Sequence, residues 1–403
     1  MSVSWVPINT ILKIAPRVLE NPRYAKNVAM IQVDKFLRNL SQGPNDGKAN
    51  RIRQCSIRIT DVCNLRCHTC GQWGDHGFLR ICSLADLRKE EVTPRRYIEL
   101  LRDLDRNGHH PSVYLWGGEP MLYAGSVEII EEAARLGMAP SIATNGTGLA
   151  RHAERLVAAP MFVIQISVDG PDAEVHNSCR PGANPRVDNF STICSAIDRI
   201  NELRKARKQR LPLVAALTTI NHLNYSRLVD IYDVFRDKVD VCVFYLAWWI
   251  DKESAERHAQ DFERRFGFKP EKHYGWVGTW TPPDYHVLSS QLKQLSARAA
   301  DLSGPAVIIM PPLTSVEDLE RYYTDHDCRF GFDRCVSIFS AVELNSNGDM
   351  SPCRDYHDFV VGNVKERTIT DLWNSPLYRT FRKSLSEEGL MPVCTRCCGL
   401  MGY

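Results

Sequence analysis

Cys63, Cys67 and Cys70 stand in the spacing C-x3-C-x2-C, three thiols within eight residues. Thiolates held this close on one loop can take three irons of a [4Fe–4S] cubane without a long loop closure, leaving the fourth iron with no protein ligand. A structural zinc ion would want four closed ligands, so the zinc alternative needs a distant fourth group or His68, which lies between two of the cysteines.

A second cysteine group, Cys328, Cys335, Cys353, Cys394, Cys397 and Cys398, crowds the last fifth of the chain. Cys335 and Cys353 flank two short strand patterns, 341–345 and 349–352, on either side of Asn347-Gly348, a hairpin signal that brings the two thiols into one neighbourhood. By count this group suits an Fe–S cluster or a zinc ribbon equally. Cys55, Cys82, Cys179, Cys194 and Cys242 lie apart and read as small buried hydrophobes. Fourteen cysteines in 403 residues, behind an N-terminus with no signal-peptide pattern, point to metal or redox chemistry and away from a disulfide framework.

The elements that must carry these groups follow a strand–helix alternation typical of βα units. Strands are expected at 55–62, 112–117, 140–144, 162–168, 213–220 and 241–248. Helices are expected at 126–136, 148–157, 190–208 and 225–235. A further helix starts at Thr93 as cap and Pro94 as first residue, presents Tyr97, Leu100, Leu101 and Leu104 on one face, and stops at Gly108. Six such units make an α/β fold, either an open doubly wound sheet or a partial (β/α)6 TIM-like barrel, the latter being the fold class expected, with a small C-terminal α+β domain. In either parallel architecture ligands bind at the C-terminal strand ends. The polar, glycine-bearing segments 61–70, 117–120, 144–146 and 167–171 all fall there.

The division expected is 1–50 as a helical extension and linker, 51–250 as the barrel, 251–327 as a bridging insertion and 328–403 as an auxiliary domain. Residues 1–40 hold six Lys and Arg against Glu20 and Asp34, which would suit a membrane-surface helix, but Pro16 and Pro22 interrupt it and packing against the barrel explains the same residues. Within the insertion, a strand at 307–310 and helices at 288–299 and 315–323 are expected. Fifty Lys and Arg against 48 Asp and Glu leave a net charge of +2, too balanced for a nucleic-acid-binding protein. No run of about 18 apolar residues is free of charge, so the expected location is cytoplasmic.

Four segments in order, Cys63-Asn-Leu-Arg-Cys67-His-Thr-Cys70, Gly117-Gly118-Glu119-Pro120, Thr144-Asn145-Gly146 and Ser167-Val168-Asp169-Gly170-Pro171, resemble the ordered motifs of the radical S-adenosylmethionine (radical SAM) enzymes. The resemblance implies Cys63, Cys67 and Cys70 as ligands of a [4Fe–4S] cluster whose open iron chelates SAM. It implies that the turn Gly117, Gly118, Glu119, Pro120 receives the methionine amino group through backbone carbonyls and Glu119. Ser167 and Arg180 would hold the methionine carboxylate and ribose, and Thr144, Asn145 and Asp169 would complete the cofactor site, although Asn145 and Asp169 also suit turn or cap roles. One position departs from the family pattern: the residue before the third cysteine, usually aromatic, is Thr69, so adenine would be held by backbone and apolar residues.

The order C-x12-G-x4-C, a gap, then C-x2-C is similar to the SPASM and shorter twitch domains. It implies an auxiliary [4Fe–4S] cluster on Cys335, Cys353, Cys394 and Cys397, with Cys398 as an alternative to Cys397 and Cys328 unassigned. Asp355, Tyr356 and His357, just after Cys353, either reach the active site or lie on the surface, the surface being the more usual place for His357, and Cys179 is a candidate thiol hydrogen donor. What the family implies is reductive cleavage of SAM to a 5′-deoxyadenosyl radical, which takes a hydrogen atom from a substrate C–H bond, with the auxiliary cluster as electron conduit. The electron donor would be a flavodoxin or ferredoxin. A small molecule, sugar or lipid precursor is the favoured substrate, since about 50 residues precede the barrel and show no peptide-recognition pattern. The alternatives are a peptide-modifying enzyme of the same family and a non-catalytic Fe–S or zinc protein.

Overall fold

The computed structural model describes residues 8–40, 46–184 and 187–401. Seven parallel strands run consecutively across one sheet: β1 (Gln54–Thr60), β2 (Ser112–Gly117), β3 (Ala139–Thr144), β4 (Val163–Ser167), β5 (Leu213–Ile220), β6 (Val241–Leu246) and β7 (Ala306–Met310). The six expected strands are all present, and the seventh is the strand anticipated in the insertion.

Side-chain alternation explains the curvature. On β2, Val113 and Leu115 are fully buried and face outward, into a core shared with Tyr97, Leu100, Leu101 and Leu104 of the helix Pro94–Arg106. That helix begins as expected, with the Thr93 hydroxyl accepting from the Arg96 amide. Ser112, Tyr114 and Trp116 point the other way and stay partly exposed. Inward-facing residues from every strand, Gln54 on β1 through Met310 on β7, line a single lumen of about 420 Å³. The sheet therefore rolls into an incomplete barrel.

Two helices, α1 (Ile8–Val18) and α2 (Pro22–Leu40), close the N-terminal end of this lumen. Lys13 Nζ donates to the Pro305 carbonyl before β7 at 3.0 Å, Arg17 pairs with Asp240 before β6 at 3.1 Å, and Tyr24 donates to the Pro160 carbonyl before β4. Val28, Ile31 and Gln32 of α2 line the floor. The basic residues of this segment thus anchor it to strand starts, as the packing explanation expects. No helix among the described residues is long and apolar enough to cross a membrane. Much of the expected linker, residues 41–45, lies outside the described residues.

The sheet does not stop at β1. β8 (Ala341–Leu344) pairs parallel to β1, and the expected hairpin continues through β9 (Asp349–Ser351) to β10 (Gly362–Asn363), both pairings antiparallel. The C-terminal segment is therefore joined to the barrel by a continuous sheet, although its sequence motifs set it apart. The insertion touches it as well: Arg265 donates to the carbonyl of Gly389, and the amides of Glu271 and Lys272 to the Asp358 carboxylate.

Candidate active site and auxiliary metal centre

The four strand-end segments meet at one edge of the barrel. The turn after β2 docks on the end of β1: the Gly118 amide donates to the Thr60 carbonyl at 2.7 Å and the Glu119 amide to the Val62 carbonyl at 2.8 Å. Gly117 sits at φ +140°, and a Cβ on it or on Gly118 would strike the carbonyl oxygens of Thr60 and Val62. Only glycine permits this approach.

Glu119 is completely buried. One carboxylate oxygen accepts from the Met121 amide at 2.9 Å and the Thr144 hydroxyl at 2.6 Å, and the other from the Asn145 amide at 2.6 Å. Burial raises its pKa while these three bonds oppose the rise. The expectation that Glu119 meets an amino group of SAM thus finds its carboxylate already engaged, tying the β2 turn to the end of β3.

The cysteine loop is held by the same network. Asn145 Nδ2 donates to Asn64 Oδ1 at 2.9 Å and lies 3.9 Å from Cys63 Sγ. Arg180 Nε donates to Asp169 Oδ2 at 2.6 Å while its Nη1 lies 3.8 Å from Cys67 Sγ. Asp169 is buried, its other oxygen accepting from the Thr219 amide at 2.8 Å; burial raises its pKa and Arg180 opposes this. The amides of Leu65 and Trp73 reach Cys63 Sγ and Cys70 Sγ, each at 3.4 Å. Every thiol of the loop therefore has an N–H donor aimed at it, the environment that stabilises thiolate ligands and tunes a cluster. Burial pushes the Cys67 thiol up to about 11, against the pull of Arg180, so ligation must displace its proton.

Among the described residues no three His, Cys, Asp or Glu side chains converge as they would on one metal ion. Thiols that each bind a different iron of a cubane stand farther apart than ligands of one ion. His68 points instead to Asp75, at 3.3 Å, in an exposed pair. Ser167 and Arg180 both line the lumen. Cys179 does not; its buried thiol lies 3.7 Å from the Asp169 carbonyl and from Asn221 Oδ1, and burial raises its pKa to about 12.

In the C-terminal segment Cys335, Cys353, Cys394 and Cys397 line one small cavity, about 50 Å³, with Phe381, Leu385 and Met391. Burial raises the Cys353 thiol well above its usual range and Cys394 to about 12. Four thiols around an apolar cavity fit a fully ligated cluster. The Cys398 side chain lies outside the described residues, and Cys328 is not in the lining. Asp355, Tyr356 and His357 are buried, which corrects the surface reading: Asp355 lines the cavity 3.6 Å from Cys397 Sγ, its carboxyl pushed up to about 6 by burial, Tyr356 donates to the Val393 carbonyl, and His357 Nε2 meets Arg58 at 3.2 Å.

Sequence reasoning missed the residues between the two centres. Trp248, after β6, lines the lumen and stacks on Trp276 at 3.9 Å between ring centroids. Trp276 packs on Gly71, next to Cys70, and donates from Nε1 to the Asp355 carbonyl at 3.3 Å. Arg354, beside Cys353, lines both cavities. Adjacency to Cys353 was a signal for Arg354; nothing local marks Trp276.

A family model described as the radical SAM superfamily matches residues 57–235, and one described as an iron–sulfur cluster-binding domain, SPASM, matches 335–398. The chain carries a radical SAM domain followed by a SPASM domain. As a radical SAM enzyme with a SPASM domain it binds a [4Fe–4S] cluster, SAM and auxiliary Fe–S. It is 24% identical to the AdoMet-dependent heme synthase of Methanosarcina barkeri, over 86% of this chain and 89% of that protein. It is 28% identical to the GTP 3′,8-cyclase of Alkaliphilus oremlandii, over 48% of this chain and 56% of the cyclase, so it spans little more than half of that relative. Among solved structures, Streptococcus suis SuiB bound to S-adenosylmethionine superposes with a TM-score of 0.58 at 15% identity, covering 89% of this chain and 73% of SuiB. The anSMEcpe structure with bound AdoMet gives 0.55 at 18% identity, covering 86% and 88%. These likenesses establish a shared fold with radical SAM enzymes, whose barrels are likewise partial.

Proposed function

We propose that this radical SAM enzyme activates a C–H bond of a small molecule held in the barrel lumen, with Cys63, Cys67 and Cys70 ligating the SAM-binding cluster and Cys335, Cys353, Cys394 and Cys397 the auxiliary one. The observation that carries the assignment is the donor set on the cysteine loop: Asn145, from the segment after β3, and Arg180, held by Asp169 of the segment after β4, reach the sulfurs of Cys63 and Cys67. When bound, the reduced cluster and SAM supply a 5′-deoxyadenosyl radical, which is the cofactor's chemistry.

The chain's own residues do the rest. The Gly117-Gly118 turn, pinned by Glu119, offers backbone carbonyls where the methionine amino group would lie, so Glu119 acts as a positioning residue. Ser167 and Arg180 face the lumen and would take the methionine carboxylate and ribose, the guanidinium being suited to an oxyanion. Asp169 aligns Arg180. The floor formed by α2 and the Trp248–Trp276 stack keep water from the chamber. Electrons would arrive from a flavodoxin- or ferredoxin-type donor.

The heme synthase relative, matched along most of both chains, supports a small-molecule substrate. The structures of SuiB bound to its precursor peptide SuiA and of anSMEcpe with the Cp18Cys peptide support a peptide substrate instead. The test is anaerobic reconstitution followed by dithionite and SAM. Formation of 5′-deoxyadenosine by the parent chain and its loss in Cys67→Ala are expected; a chain that carries only zinc and makes none would overturn the proposal.

A further inference from the structure

The lumen holds a second guanidinium that SAM would leave unused. Among the described residues Arg180 and Arg354 are the only charged side chains lining it. The remainder is neutral: amides and hydroxyls such as Gln54 and Ser141, and a set of rings, Tyr114, Tyr245 and Trp248. No carboxylate faces in among these residues, so the chamber holds no negative charge to repel an anion.

Arg354 is built into place. Its guanidinium is held by the buried Glu343 at 3.3 and 3.5 Å, and its carbon lies 5.2 Å from the Tyr114 ring and 5.4 Å from Trp116. Glu343 lines the auxiliary cavity and not the lumen, so the ion pair orients the fork while its carboxylate stays outside the chamber. Trp116 is itself fixed, its Nε1 donating to Ser56 Oγ at 2.9 Å. A planar fork over aromatic faces is suited to a carboxylate or phosphate, more than an ammonium would be.

We infer that Arg354 binds an oxyanion of the substrate, and that the substrate is a small molecule carrying a carboxylate or phosphate on a flat apolar body that packs against Tyr114, Tyr245 and Trp248. This rests on the lumen being the substrate chamber of the radical SAM reaction. Because Arg354 follows Cys353 and lines both cavities, an anion bound there lies beside the auxiliary centre. Arg354 is then a specificity-determining residue, distinct from Arg180.

The experiment is calorimetry on the anaerobic holoenzyme with SAM saturating, so that Arg180 is already engaged. Three probes are titrated: 3-phenylpropionate, 2-phenylethyl phosphate and the neutral 3-phenylpropan-1-ol. At least one anion is expected to bind about tenfold tighter than the alcohol, and the better anion identifies the oxyanion. In Arg354→Gln that preference should fall to within about threefold, with Arg354→Lys intermediate. Unchanged preference in Arg354→Gln, or a parent enzyme that does not discriminate, including one that binds no probe, overturns the inference. Should Arg354→Gln fail to fold by its thermal midpoint, Arg354→Lys decides: full retention of the preference counts against the fork. Dithionite-driven 5′-deoxyadenosine formation is measured on the same parent preparation. Its presence without discrimination sinks the oxyanion site alone, and its absence sinks the underlying reading.

Discussion

Arg180 links the buried carboxylate of Asp169, 2.6 Å from its Nε, to the thiol of Cys67, 3.8 Å from its Nη1. One guanidinium thus joins the strand-end motif after β4 to the cysteine loop after β1. It also lines the lumen, so under the proposed assignment a single side chain would serve both the cluster's electrostatics and the methionine carboxylate of SAM.

Arg180→Lys keeps a charge but loses the fork. SAM affinity of the reconstituted enzyme should weaken about tenfold or more, equal to about 1.4 kcal/mol, while iron content stays near that of the parent. Asp169→Asn should give a smaller loss, since the amide still accepts one bond. Equilibrium binding of SAM beside an iron assay checks both; unchanged affinity in Arg180→Lys contradicts the role.

Glu119→Gln is nearly isosteric, yet it must turn one NH₂ towards donors that need an acceptor. With three protein donors on the carboxylate, an unsatisfied buried group costs about 1–3 kcal/mol. A lowered thermal midpoint and weaker SAM binding are expected. Thr144→Val removes one bond only and should cost less on both measures.

These two networks show what could be read in advance. Cys63, Gly117, Asn145 and Asp169 each suit ordinary ligand, turn or cap roles alone; they stood out because their segments fall in order on successive strand ends and resemble one family's motifs, and the structure brings all four segments together. Glu119 was legible as a site residue but not as a buried clamp, because two of its three partners are backbone amides that carry no sequence signal. Asp355 and His357 looked like exposed polar residues. Trp276 of the insertion covers Asp355, while Phe78 and Arg58 meet His357; these partners lie far away along the chain and leave no periodic trace. The parallel pairing of β8 with β1, between residues nearly 300 apart, was invisible for the same reason.

The auxiliary centre makes a stoichiometric prediction. Cys353→Ala should lower iron from about eight per chain to about four, the content of one cubane, and leave the SAM-dependent spectral change of the first cluster. Cys397→Ala and Cys398→Ala compared in parallel identify the fourth ligand: with Cys397 in the cavity lining, the first should lose the iron and the second keep it.

A Cβ on Gly71 would fall inside the Trp276 indole, so Gly71→Ala should displace the ring that covers the cysteine loop and meets Asp355. Overpacking of this kind costs about 1–3 kcal/mol. If the contact is the cause, Trp276→Leu should rescue Gly71→Ala, the double variant being more stable than additivity allows. Additive losses in thermal denaturation would contradict it.

The buried His258 gives the fold a pH dependence whose sign can be worked out. Burial lowers its pKa to about 3, with His273 pressing the same way, and neither ring nitrogen has a hydrogen-bond partner. The unfolded chain binds the proton near pH 6.5 and the native state does not, so this group's contribution is complete above pH 6.5 and is lost as pH falls from there towards 3. At pH 5 the loss is about 2 kcal/mol, from about 1.4 kcal/mol per unit. His176, also lowered to about 3 by burial, acts in the same direction. His258→Leu removes one of several such protonation penalties, burial lowering His273, His326 and His357 as well, so its fall in stability between pH 7 and pH 5, followed by chemical denaturation, should be smaller than the parent's by about that amount. An identical fall in both proteins would show that His258 is not protonated on unfolding in this window, and that the acid sensitivity arises elsewhere.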